Sequence, residues 1–268
     1  MKKLIPLLLF FVALPAMAAR QFDIEVIVFK HDDTRAQINE SWAEQLPEID
    51  LKPTGRLDDA NYRARKGVQL LPRSAYQLNP QEQALRQRSG YQVLLHSAWR
   101  QGDRGRLSAP IFHIQAGKNF AGQYDADGNP KGSHKVLPNY ITDNVATTAP
   151  TSDSRNSTVY ELDGRLQVYV EHYLYTDVML DLKEPTLRPI TVSSETPDQQ
   201  GDVESQPLAM QTTDEPSSAN TAVETATDSR YFLKSFRMDQ KRRMRSGETH
   251  YFDHPKMGMI VQVRRVAE

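Results

Sequence analysis

The longest regular pattern in the chain is Leu166–Leu182, in which every even position is Leu or Val except His172 and Thr176. The odd positions hold Gln167, Tyr169, Glu171, Tyr173, Tyr175, Asp177, Met179 and Asp181. Alternation with a period of two, unbroken by Gly or Pro, predicts a strand with one buried face and one wet, tyrosine-bearing face. At about 3.4 Å per residue it reaches roughly 55 Å, several times an ordinary strand, so a bend, a bulge or division between two hairpins is expected. Asp163-Gly164 separates it from Ser157–Leu162 by the two residues of a type I′ turn. His172, on the apolar face, reads as a hydrogen-bonded core histidine.

Shorter patterns flank this one. Arg20–Lys30 alternates Phe22, Ile24, Val26 and Val28 against Asp23, Glu25 and Ile27, which predicts a strand. Thr34–Leu46 carries Ile38, Trp42 and Leu46 at a spacing of four and ends at Pro47, a short amphipathic helix. Glu48–Ala75 is polar and irregular. A second helix is signalled by Asn79 as N-cap, Pro80 at N1, Glu82 at N3 and Gly90 past its end. Tyr91–Arg100 follows as a strand with Tyr91, Val93, Leu95 and Trp99 on one face, and Ala109–Ala116 as another, Ile111 and His113 opposite Phe112 and Ile114. Residues 117–158 form a long excursion. Near the C-terminus, Tyr231–Arg245, Glu248–His254 and Met257–Val266 read as strands, the first two joined at Ser246-Gly247.

Two segments depart from this pattern. Residues 1–18 carry Lys2 and Lys3, an apolar run Leu4–Leu14 and the small-x-small site Ala16-Met17-Ala18, a signal peptide cleaved after Ala18. The run is too short to span a bilayer, and no later stretch is long and apolar enough to do so. Residues 191–229 hold eight acids, no Lys or Arg and no aromatic residue, and read as a disordered acidic loop. Strands lie on both sides of it. The expected fold is therefore one α+β domain: a single, mostly antiparallel sheet with one or two helices on a face. Residues 19–190 form its main part, and residues 230–268 supply C-terminal strands completing it.

Overall charge is balanced, 33 basic against 34 acidic residues, which argues against a dedicated nucleic-acid binder. Cysteine is absent, which excludes disulfides, thiol catalysis, thiolate metal sites and a lipidated N-terminus. With the leader, this places the chain in a bacterial periplasm.

The chain carries no G-x-S-x-G, H-E-x-x-H or S-x-x-K motif and no Gly-rich phosphate loop. His250 and His254 have metal-chelating spacing only on a helix; on a strand they stand about 13 Å apart. Asp125-Ala-Asp127-Gly-Asn129 starts like a calcium loop but then departs from it, and reads as a turn. No metal or cofactor is expected. Two surfaces remain as binding candidates. One is Tyr169, Tyr173 and Tyr175, which suit stacking on sugar rings or a protein contact, against ordinary cross-strand packing. The other is Lys241, Arg242, Arg243 and Arg245, which suit an anionic polymer or acidic partner, against a solvated edge strand or contact with the acidic loop.

Taken in order, the leader running into RQFDIEVIVFK, then SWAEQLP, GYQVLLHSAWRQ, LQVYVEHYLYTDVMLDL and THYFDHPKMGMIVQVRRV, resembles the CsiV family. These are periplasmic peptidoglycan-binding, cell-shape integrity proteins of Vibrio and related gammaproteobacteria. The resemblance implies a non-catalytic protein that binds peptidoglycan and supports a bifunctional penicillin-binding protein through that enzyme's outer-membrane lipoprotein activator. A protein–protein adaptor without wall binding, and an unrecognised wall hydrolase, are the alternatives.

Overall fold

In the computed structural model, residues 20–31, 46–131, 159–191 and 227–267 are described; the expected leader, residues 34–45 of the expected helix and residues 192–226 of the acidic loop lie outside them, whereas Thr191 and residues 227–229, read as part of that disordered loop, belong to strands. The alternation after residue 20 becomes β1 (Gln21–His31), the middle strand of a five-stranded sheet. On one side it pairs with β4 (Tyr91–Gly102), which is edged by the short β3 (Gln69–Leu70). On the other it pairs with β10 (Met257–Arg265), edged by β9 (Thr249–His254). All pairings are antiparallel, and Phe22 lies opposite Arg265, so the first and last strands pair with one another in this sheet.

The second five-stranded sheet runs β2 (Gly55–Arg56), β5 (Ile111–Asn119), β6 (Tyr160–Val170), β7 (Leu174–Thr191) and β8 (Thr227–Met244). Only the β2–β5 pair is parallel. The class is α+β as expected, but the strands are divided between two sheets where a single sheet was predicted. The even positions of β1 and of β6–β7 are both apolar, and these two stripes bury each other. Phe22, Ile24, Val26 and Val28 share one core with Leu162, Leu166, Val168, Val178, Leu180 and Leu182. Trp99 crosses the gap to Phe112 edge-on at 5.1 Å between ring centroids. Its indole N–H donates to Gln101, whose amide donates in turn to the Val168 carbonyl.

The predicted long strand is a hairpin. Glu171, His172 and Tyr173 form the turn, and pairing runs from Val170↔Leu174 to Leu162↔Leu182. A three-residue turn leaves even residues opposite even residues, so the inward parity passes through it unbroken and the turn is invisible to the alternation. His172 is accordingly exposed, edge-on to Tyr173 at 4.9 Å, not a core histidine. The expected turn at Asp163-Gly164 is also replaced: Gly164 sits inside β6, between Ile114 and Leu180. Its φ is 154°, and a Cβ there would lie 2.2 Å from the Met179 carbonyl oxygen. Glycine serves close backbone approach here.

The outer face of the first sheet is covered by α2 (Asn79–Gln87), over Ile27, Phe29 and Leu78. Leu78 takes the N-cap position, whereas Asn79, expected there, is the first helical residue and donates from its amide to the Tyr76 carbonyl. A bulge between Val28 and Phe29 shifts the β4 register. Tyr91 and Val93 therefore pack under α2 while Leu95 and Trp99 face the inter-sheet core, not all on one side as the spacing suggested. Within the stretch read as irregular lies α1 (Ala60–Lys66), capped by the Asp59 carboxylate on the Tyr62 N–H and stopped by Gly67 in the left-handed region.

Candidate functional site

The outward face of the second sheet is built from the odd positions of β5, β6, β7 and β8. Pairing aligns them in rows across the strands: Tyr169, Tyr175 and Arg243 in one row, and Ile111, Gln167, Asp177 and Lys241 in the next. Arg165 and Met179 stand in the third. Rows lie about 7 Å apart and strands about 4.8 Å, so these residues occupy one continuous surface.

The tyrosine and basic candidates, separated by some 70 positions in the chain, meet on this surface. Tyr169 and Tyr175 stack across the strands with centroids 5.4 Å apart. The Lys241 ammonium lies over both rings, at 5.7 and 5.4 Å. The Tyr169 phenol beside it raises the Lys241 pKa above that of an ordinary lysine, while no hydrogen bond of regular geometry satisfies the buried Tyr169 hydroxyl. Arg243 lies over the Tyr173 ring at 4.3 Å. Tyr169 is fully buried and Tyr173 is 46% exposed. The rings thus serve as a base under two cations.

The other two members of the basic run turn away. Arg242 points to the opposite side of β8, over the Phe252 ring at 4.8 Å, and donates to the Tyr251 carbonyl, tying β8 to β9. Arg245 makes an exposed ion pair with Glu248 at 3.6 Å. The alternation that puts Lys241 and Arg243 on one face necessarily puts Arg242 on the other.

Beside the tyrosines the loop between β4 and β5 folds over the sheet. The Gln167 amide holds it by donating to the Arg106 carbonyl at 2.7 Å, and the Val170 N–H by donating to the Arg104 carbonyl. Between loop and sheet lies a groove of about 350 Å³. Pro53, Leu107 and Ile111 give it an apolar side, and Arg106, Arg165, Gln167 and Asp177 a polar one. Arg106 is 3.7 Å from Asp177, whereas Arg165 has no carboxylate partner among the described residues. Arg165 and Gln167 share the parity of Tyr169, a signal readable in the sequence. Arg106 carries no such signal, because a loop has no period.

The most perturbed carboxylates lie elsewhere. Glu25, on the outer face of β1, and Glu82, on α2, sit on the two ring nitrogens of His96, at 2.8 and 2.6 Å. Burial pushes both carboxyl groups up, but hydrogen bonds outweigh it and hold each at about 2. For Glu25 the donors are His96, the Gln77 and Leu78 N–H groups and Arg264; for Glu82 they are His96, Arg86 and Arg73. Each ring nitrogen of His96 thus meets a carboxylate, and Arg73 stands 2.9 Å from Nδ1 as well. This cluster is sealed under α2 and open to no substrate: the side chains of Glu25 and His96 are 0% and 1% exposed. Among the described residues no group of three His, Cys, Asp or Glu is placed to hold a metal ion. His250 and His254 both lie on β9, as the strand reading required.

A family model described as "Peptidoglycan-binding protein, CsiV" matches residues 2–266. No curated protein and no solved structure matches the chain.

Proposed function

We propose, from the premise that the chain belongs to the CsiV family of peptidoglycan-binding proteins, that it is a non-catalytic wall-binding protein of the periplasm, exported by residues 1–18, whose contact with peptidoglycan is the outward face of the second sheet. The match over nearly the whole chain carries this reading. The face supports it with an open groove beside cations fixed on aromatic rings, apolar on one side and charged on the other. A non-catalytic role accords with the burial of the Glu25–His96–Glu82 cluster, the strongest acid–base constellation among the described residues. In the cell wall the protein acts as a regulator: it supports a bifunctional penicillin-binding protein through that enzyme's outer-membrane lipoprotein activator.

Cosedimentation of the purified protein with isolated sacculi, at low and high salt, tests the reading, with soluble muropeptides assayed in the same tubes. Retention without released fragments is expected. Released fragments would make the protein a hydrolase. Absence from the pellet at both salts would leave a protein–protein adaptor.

A further inference from the structure

The three tyrosines do not offer what a sugar needs. Carbohydrate stacking requires a flat, open aromatic face. Tyr169 is fully buried, Tyr175 is stacked on it beneath Lys241, and the Tyr173 ring carries Arg243. What the rings hold up to solvent is positive charge. Two rows away on the same face, Arg165 enters the groove without a carboxylate partner among the described residues. With Arg106 the field counts four cations against the carboxylates of Asp177 and of Asp239, which shares the Arg165 row, with exposed Glu171 in the adjoining turn.

We infer that this face, as the wall-contacting site of the reading above, binds the short peptides of peptidoglycan through their carboxylates, Arg165 in the groove and Lys241 and Arg243 on the tyrosine platform, and does not read the glycan. The spacing fits that ligand. Arg165 and Arg243 are separated by two strands and four residues, about 16 Å, the reach of an extended peptide of roughly five residues. Wall peptides carry carboxylates along their length and at the C-terminus. The glycan is N-acetylated and carries none once its lactyl groups are amide-linked to peptide. The apolar side of the groove at Ile111 and Leu107 suits the alanine methyl groups of such a peptide.

Competition for sacculi separates the two chemistries. Three soluble competitors are used: muramidase-released disaccharide-tetrapeptide, free tetrapeptide, and glycan strands stripped of peptide by an amidase, with the lactyl carboxylates this frees converted to amides. The disaccharide-tetrapeptide and the free tetrapeptide are expected to displace the protein, and the stripped glycan is not. Arg165→Ala and Lys241→Ala are each expected to weaken muropeptide binding roughly tenfold, since a charge-assisted hydrogen bond is lost. Arg165→Lys, which keeps the charge but not the fork, should recover part of the loss. Unchanged thermal melting confirms that these surface variants are folded. Displacement by stripped glycan as good as by disaccharide-tetrapeptide, or unchanged binding in both alanine variants, overturns the peptide assignment while leaving wall binding intact. Failure of the unaltered protein to bind sacculi at any salt removes the wall-binding reading, and this inference with it.

Discussion

At the scale of single residues, the Glu25–His96–Glu82 cluster fixes α2 to the first sheet by charge. Arg264 of β10 reaches the same Glu25 carboxylate at 2.9 Å, and Arg73 and Arg86 reach Glu82 at 3.1 and 2.8 Å. A buried pair broken on one side leaves the other charge unpaired, so Glu25→Ala is expected to cost about 3–5 kcal/mol in denaturant unfolding. The pH dependence has a definite sign. Folding lowers both carboxyl groups from 4.5 to about 2, so the stability they contribute is complete above about pH 4.5 and is lost as pH falls through about 2. Each contributes at most ~3 kcal/mol, and together they contribute less than twice that because they share His96. Unfolding free energy measured between pH 6 and pH 2 should fall more steeply in the unaltered protein than in Glu25→Gln; parallel curves would refute the assignment. At Gly164 the constraint is steric: a Cβ 2.2 Å from the Met179 carbonyl forces β6 and β7 apart. Gly164→Ala should lower the melting temperature by several degrees, whereas Gly247→Ala, where a Cβ meets nothing within 4 Å, pays only for its φ of 86°.

At the scale of elements, Trp99 and Gln101 show how one strand holds two layers. Both belong to β4 of the first sheet, yet the Trp99 ring packs on Phe112 of the second, and Gln101 hydrogen-bonds to Val168 of the second. Trp99→Ala, which opens a cavity where the sheets meet, is expected to cost about 3–5 kcal/mol in chemical denaturation. Most elements here were legible in the sequence because each buries one face. The period-two stripes of β1, β5 and β6–β7, and the apolar face of β8, are what the core collects. Illegible were the features that leave the stripe intact. The turn at 171–173 preserves parity, and the bulge at Val28/Phe29 changes the face of Tyr91 and Val93 without changing residue types. The division into two sheets was hidden because alternation gives the buried face of a strand but not its neighbour. The candidate site was half-legible for the same reason: Tyr169, Tyr173, Tyr175, Lys241 and Arg243 could be named, but their meeting on one surface is a consequence of register.

At the scale of the molecule, the chain is closed at both of its long-range joints. β10 lies between β1 and β9, and the Val266 N–H donates to the Gln21 carbonyl, so a chain truncated before Met257 loses the strand that joins β9 to the middle of the first sheet. The second joint is the β7–β8 ribbon. Its pairing runs without interruption from Leu174↔Met244 to Thr191↔Thr227, beyond the Leu162↔Leu182 pair where the pairing of β7 with β6 stops. Thr191 and Thr227 are thus already cross-strand partners, a separation that a hairpin of two to five residues closes. The 35 residues from 192 to 226 make that closure longer than the strands require. Loop-closure entropy grows with the logarithm of length, so replacing them by a four-residue Asn-Gly hairpin should stabilise the fold by about 2 kcal/mol. Differential scanning calorimetry of the shortened chain should show one cooperative transition at a higher temperature. A lower transition would mean that residues 192–226 add contacts to the folded domain. Sacculus binding by the same variant separates the two roles of the insertion: retention equal to that of the full chain assigns binding to the strands alone. A rise would mean that its acids had been competing with wall carboxylates for Lys241, Arg243 and Arg165.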